Sequence, residues 1–140
     1  MWGRPAVRPL VLVGGCVNQL LAIAAGGALG ALMRYWVSTG VYALAGRDFP
    51  YGTLVVNVAG SLLMGFLSVL LIERLTASPE WRAGLLIGFL GAFTTFSTFS
   101  METLNLIEQG APLRAGLNML LSVVLCVGAA WMGLIAGRQL

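Results

Sequence analysis

The segment Gly91-Ala92-Phe93-Thr94-Thr95-Phe96-Ser97-Thr98-Phe99-Ser100 sets phenylalanine at every third position among threonines and serines. An aromatic ring has a positive edge and a negative face. An edge aimed at a small anion replaces part of its hydration without a formal charge that would trap it. A conduction site needs that compromise between entry and exit. The same spacing on a helix also describes a plain packing stripe. The hydroxyls argue for more, because the flanking sequence is apolar enough to lie in hydrocarbon. Irregular or hydroxyl-rich backbone survives there only when it is buried in protein or lines a cavity. The segment reads as part of a pathway or an ion site.

Other polar side chains stand at helical spacing. Asn57, Ser61, Gly65 and Ser68 fall near one helix face, a small polar stripe flanked by Val, Leu and Met. Asparagine offers two N–H donors. These suit pore lining or a bond between membrane helices, and the accompanying stripe favours lining. Asn118, Ser122 and Cys126 repeat every four residues and make a weaker track, as consistent with groove filling as with water contact. Arg34 lies within an apolar stretch, where a charge costs at least ~2.5 kcal/mol on insertion scales. It reads as an anion-attracting group at a vestibule or as a helix-end arginine bonded to backbone carbonyls. Glu102 is close enough to the end of its span to reach water and is not read as a proton carrier.

The composition excludes several classes. The 140 residues include no histidine and two widely separated cysteines, Cys16 and Cys126. No metal cluster or nucleophile–base set can be assembled from them, so an enzyme is disfavoured. All eight basic residues are arginine, scattered, for a net charge of +3. No basic patch meets the phosphates of a nucleic acid. Hydrophobic residues make up 59% and charged residues 9% of the chain, against about 25% charged in soluble domains. The chain is an integral membrane protein with room for one domain.

The elements that must position these residues are four apolar stretches, roughly 20–45, 52–72, 82–107 and 114–136. Each holds the ~20 residues a bilayer crossing needs. Gly46-Arg47-Asp48-Phe49-Pro50 and Glu108-Gln109-Gly110-Ala111-Pro112 are turn signals, and Glu73 to Glu80 form a polar loop. An even number of crossings puts both termini on one side. Arg74, Arg82 and Arg138 flank that side, and Arg47 and Arg114 the other. So small a bias barely fixes orientation, which would let the chain insert both ways and pair antiparallel. The pairs Gly26/Gly30, Gly84/Gly88 and Gly133/Gly137 allow close helix approach. Four thin helices enclose a pore poorly, which argues for an oligomer. Residues 1–19 read as an extension, disordered or mis-called, or a weak signal segment, ahead of a channel domain at 20–140.

At this point the residues resemble a known family. Gly26-Gly27-Ala28-Leu29-Gly30-Ala31 with Arg34-Tyr35, then Gly52-Thr53-Leu54 with Val56-Asn57 and Gly60, then Gly91 with Thr94-Thr95-Phe96-Ser97-Thr98-Phe99 are similar to the Fluc (CrcB) fluoride channels. The resemblance covers all four spans, and the Thr94 to Phe99 string is its most specific part. It implies an antiparallel dual-topology homodimer in the bacterial inner membrane, with two separate pores. The activity implied is passive export of fluoride that enters as the neutral acid and ionises inside. By the match, Asn57 donates to fluoride, and Phe96 and Phe99 are paired rings whose edges meet the ion. Ser97 and Thr98 lie between them, Thr98 as a hydroxyl contact, and Ser122 is the firmest member of the fourth-span track. The resemblance also implies a structural sodium at the dimer centre, on backbone carbonyls of Gly91 and Thr94 where the third helix breaks. Unwound backbone frees carbonyl oxygens, and half-helix C-termini carry partial negative charge, which suits a small hard cation.

The expected fold is therefore all-α, with four transmembrane helices and the third broken mid-membrane. The rival is a small multidrug-resistance-type, proton-coupled exporter, also a four-span dual-topology dimer. It needs a carboxylate in the first span, where this chain has Arg34 and no acid. A purely structural membrane subunit would leave the hydroxyl-rich third span without a reason.

Overall fold

A computed structural model describes residues 9–140. Residues 1–8, part of the extension expected at 1–19, lie outside the described residues. From Pro9 the chain is helix that runs directly into the first span. Helix α1, Pro9–Ala45, is 37 residues long. It stops at Gly46, whose φ of +81° few other residues adopt and whose N–H bonds to the Tyr42 carbonyl at 3.0 Å. Helix α2, Tyr51–Ser68, continues in wider π-helical turns through Val69–Arg74. The third span is assembled from α3, Pro79–Arg82, a π-helical stretch Ala83–Leu90, α4, Gly91–Phe93, and α5, Phe96–Glu108. A turn at Gly110 (φ +74°) leads to α6, Pro112–Gln139. Pro79 and Pro112 open their helices, where a missing N–H costs nothing.

Among the described residues there is no strand. Four helical stretches are long and apolar enough to cross a membrane: Gly14–Ala45, Tyr51–Arg74, Pro79–Glu108 and Pro112–Gln139. The shortest, at 24 residues, reaches about 36 Å at 1.5 Å per residue, beyond the ~30 Å of a hydrocarbon core. Large apolar side chains face outward along these helices, among them Leu20, Leu29, Trp36, Val123 and Trp131. A soluble protein would bury them. The molecule is an all-α, multi-pass membrane protein.

Lipid gives helices no hydrophobic drive to associate, so close backbone approach must hold them together. Helix α2 packs along α6, and α1 along Ala83–Leu90. Glycines make both contacts possible. A Cβ on Gly133 would collide with the Leu62 carbonyl oxygen, and one on Gly65 with that of Ala130. On the other interface a Cβ on Gly26 would strike the Gly84 carbonyl oxygen, and one on Gly88 would lie 2.7 Å from that of Ile23. The glycine pairs of the first and third spans are two sides of one seam.

Replacing Gly133 by leucine is expected to destabilise the bundle by about 1–3 kcal/mol or more, the usual range for overpacking. Gly116→Ala serves as the control, since a Cβ at Gly116 has no atom within 4 Å. Thermal unfolding in detergent should show a lowered midpoint for the first variant and an unchanged or raised one for the second.

Candidate functional site

Helix α4 ends at Phe93 and α5 begins at Phe96. The two residues between them take extended torsions, Thr94 at φ −81°, ψ 156° and Thr95 at φ −149°, ψ 115°. Threonine is β-branched and suits that conformation. Extended residues inside a helical span leave peptide groups without their usual partners, and at Thr95 one side chain answers both. In an unbroken helix the Thr95 N–H would bond to the Gly91 carbonyl. Here it donates to Asn57 Oδ1 at 2.7 Å, while Asn57 Nδ2 donates to the Thr95 carbonyl at 3.0 Å. One carboxamide thus pairs with both faces of one peptide residue, as a neighbouring strand would. The Thr95 N–H requires an acceptor, and this fixes which way the carboxamide points.

The residues on either side complete the step. The Thr94 N–H and Oγ1 both donate to the Leu90 carbonyl, at 3.1 and 3.0 Å. Thr95 caps α5: its Oγ1 accepts the Thr98 N–H at 3.2 Å, donates to Thr98 Oγ1 at 3.0 Å and lies 3.3 Å from Ser97 Oγ. Gly60 makes the approach of α2 possible. A Cβ there would collide with Thr94 Cγ2 and sit 3.1 Å from the Phe93 ring.

Beside this step lies an open groove of about 390 Å³, lined by Asn57, Ser61, Thr95, Phe96, Phe99 and Ser122 among others, and by no charged side chain. The rings of Phe96 and Phe99 stand 5.3 Å apart, inclined at 45°. Phe96 is 79% exposed in the single chain, so the groove is open on the side of the rings. Phe93 is excluded. It is buried and stacks on Phe89 at 6.0 Å. The even spacing of the three phenylalanines therefore does not describe one set, because the extended pair re-aims the chain between the first ring and the other two.

Ser122 is buried and lines the groove. Ser97 and Thr98 are exposed, outside the lining of a single chain, with their hydroxyls gathered on Thr95. Arg34 is half-buried on α1 and is not among the lining residues. Gly91 is exposed and Thr94 half-buried at the C-terminal end of α4. The α2 stripe holds at Asn57 and Ser61. Beyond them Met64 lines the groove, Gly65 packs on α6, and Ser68 bonds back to the Met64 carbonyl at 2.6 Å. The α6 track divides: Ser122 and Cys126 line the groove, but Asn118 turns away and donates to Thr103 Oγ1 at 2.8 Å.

Sequence reasoning missed a second polar cluster. Glu102 Oε1 accepts from Tyr42 OH at 2.6 Å and from Thr53 Oγ1 at 2.9 Å, which ties α5 to α1 and α2. Its Oε2 is buried without a partner. An acid one turn from Phe99 was the available signal, since such a group must find donors.

Asn57→Leu leaves the Thr95 N–H and carbonyl unpaired together. At about 1–3 kcal/mol per orphaned group, denaturant titration in mixed micelles should show a loss of at least ~2 kcal/mol. Thr95→Ser, which keeps peptide and cap, should lose less than half of that.

A profile of the family described as CrcB-like protein, Camphor Resistance (CrcB) matches residues 21–134. The protein of Methylococcus capsulatus named Fluoride-specific ion channel FluC is 62% identical over 122 residues, 87% of this chain and 54% of that protein. This chain thus spans about half of that relative's length. Proteins of the same name from Coxiella burnetii and Geobacter sulfurreducens are each 54% identical, over 125 and 124 residues, and are covered along 100% of their length by 89% of this chain. With most of its length matched by the profile and relatives covered along their full length at 54% identity, the chain belongs to the CrcB family.

Proposed function

We propose that the protein is a fluoride-selective passive channel that exports cytoplasmic fluoride across the bacterial inner membrane. It works as an antiparallel, dual-topology homodimer with two pores. The observation that carries this reading is the groove, in which an amide, hydroxyls and two aromatic rings share one space without any formal charge. The names of the relatives point the same way. A fluoride ion crossing hydrocarbon must exchange its water for other donors. Of the two N–H groups on Asn57 Nδ2, one is held by the Thr95 carbonyl, and the other is free for the ion. Ser122 and the ring edges of Phe96 and Phe99 continue the path. Chloride is larger and less basic, so donors set for fluoride fit it poorly. Passage requires no bond to be made or broken, and the protein is not an enzyme.

The open side of the groove is the argument for a partner. An exposed Phe96 beside a half-walled groove would admit lipid tails. A second chain laid antiparallel closes it and brings the exposed Ser97 and Thr98 into the walls. Arg34 serves as a vestibule or structural charge near the mouth. A proton-coupled exporter of the small multidrug-resistance type is not favoured, since α1 carries no acid.

The chain also fits a structural sodium. With the Thr95 N–H diverted to Asn57, the Gly91 carbonyl lacks its helical donor at the negative end of α4, and the Thr94 carbonyl follows in extended backbone. These two carbonyls are the groups that would hold the ion, which would supply the positive charge they lack.

Reconstituted into liposomes, the protein should release fluoride to an electrode and retain chloride. Phe96→Ile should slow fluoride efflux by at least about tenfold, the equivalent of about 1.4 kcal/mol. Asn57→Asp, which places a carboxylate in the groove, should also weaken it. Unchanged rates in both variants would remove these residues from the path. For the cation, raising sodium should lift the thermal midpoint of the purified protein by mass action, whereas equal potassium should not; equal effects of the two ions would discard the sodium assignment.

A further inference from the structure

We infer that Asn118 is a positioning residue that sets the place of the Phe99 ring, and with it the width of the groove between Phe99 and Ser122. This rests on the reading of the groove as the fluoride path. Asn118 is 1% exposed and takes no part in the lining. Its Nδ2 donates to Thr103 Oγ1 at 2.8 Å, and Thr103 Oγ1 donates to the Phe99 carbonyl at 2.7 Å. The direction of this relay is forced. An amide nitrogen can only donate, so the single hydroxyl proton of Thr103 is left for Phe99. A threonine hydroxyl bonded back to the carbonyl four residues earlier competes for that carbonyl with the helix's own N–H. Here the carbonyl is that of Phe99, and the bond from α6 locks the hydroxyl that reaches it.

The other ring lacks this lock. Ser100 Oγ makes the same backward bond to the Phe96 carbonyl at 2.9 Å, but Ser100 is exposed and, among the described residues, no side chain from a neighbouring helix donates to it. Asn118 is also one turn before Ser122 on α6. The helix that supplies one wall of the groove thus holds the opposite wall through Asn118. Relaxing the bond frees Phe99 to move, which loosens the fit around fluoride and admits a larger anion.

The test uses full-length protein carrying 4-fluorophenylalanine at position 99, with ¹⁹F spectra in detergent and paired fluoride and chloride efflux from liposomes. Wild type and Thr103→Ser should give one narrow line. Asn118→Leu and Thr103→Val should broaden or split it, slow fluoride about tenfold and lower the fluoride-to-chloride ratio by a similar factor. The double variant should be no worse than either single one, because both break the same relay. A narrow, unmoved line in Asn118→Leu overturns the inference, whatever the flux does. A broadened line in a protein that carries no fluoride even as wild type leaves the positioning intact and removes the channel reading instead. If Asn118→Leu does not fold, Thr103→Val against Thr103→Ser reads the same bond from its other end, and identical spectra for that pair overturn the inference.

Discussion

A peptide group surrounded by hydrocarbon has to find its partners within the protein, and at Thr95 both come from one side chain. The carboxamide of Asn57 accepts the Thr95 N–H and donates to the Thr95 carbonyl. Without it, extended backbone at this position would cost the desolvation of two polar groups. With it, the chain can leave helical torsions for two residues and resume them under the cap that Thr95 itself provides. The other features follow. Gly60 exists so that α2 can come close enough to deliver Asn57. The turn of the chain at Thr94 and Thr95 sends Phe93 into the core and Phe96 and Phe99 to the groove. The Gly91 carbonyl loses its donor because the Thr95 N–H has gone elsewhere.

Much of this was legible beforehand, for identifiable reasons. The four spans follow from hydropathy, which depends only on local composition. Asn57, Phe96, Phe99 and Ser122 stood out as polar or aromatic residues at helical spacing, and all four line the groove. What spacing alone could not give was the effect of the expected break on the phase of the residues around it. A stripe counted through Phe93 assumes one unbroken helix, and two extended residues invalidate the count. The same step carries Ser97 and Thr98 to the surface of the single chain, where they bond to Thr95. Asn118, left open between groove filling and water contact, is a different case. Its four-residue spacing to Ser122 and Cys126 is correct, but a stripe on a helix is wide enough that one end can face α5 while the rest faces the groove. The cluster of Tyr42, Thr53 and Glu102 joins residues 49 and 60 positions apart, and no local pattern announces it.

The charges are distributed in a way that clarifies the groove. Glu73 pairs with Arg138 at 3.7 Å, and the Arg74 guanidinium donates to the Arg138 carbonyl, all near the exposed end of the bundle. At the other end Arg114 donates to the Asp48 carbonyl at 3.3 Å. Such exposed contacts stabilise little. Their placement keeps these charges at the ends of the spans. Arg34 and Glu102 lie further in, and neither lines the groove.

A groove without charge must select by geometry, and geometry selects only if it is stiff. An anion that exchanges its water for a few amide and hydroxyl hydrogens and ring edges is held by contacts that fall away steeply with distance. A wall that yields by a fraction of an ångström would serve a larger ion as well. The glycine seams supply stiffness on the large scale, since backbones that touch cannot slide. On the scale of the groove it comes from hydrogen bonds that reach across helices, Asn57 to Thr95 on one side and Asn118 to Thr103 on the other. Both asparagines spend their amides on the backbone or on a residue that holds the backbone. In this chain the side chains best suited to bind an anion are used largely to hold other groups still. The donor that remains free on Asn57 gains its directionality from the one that is not.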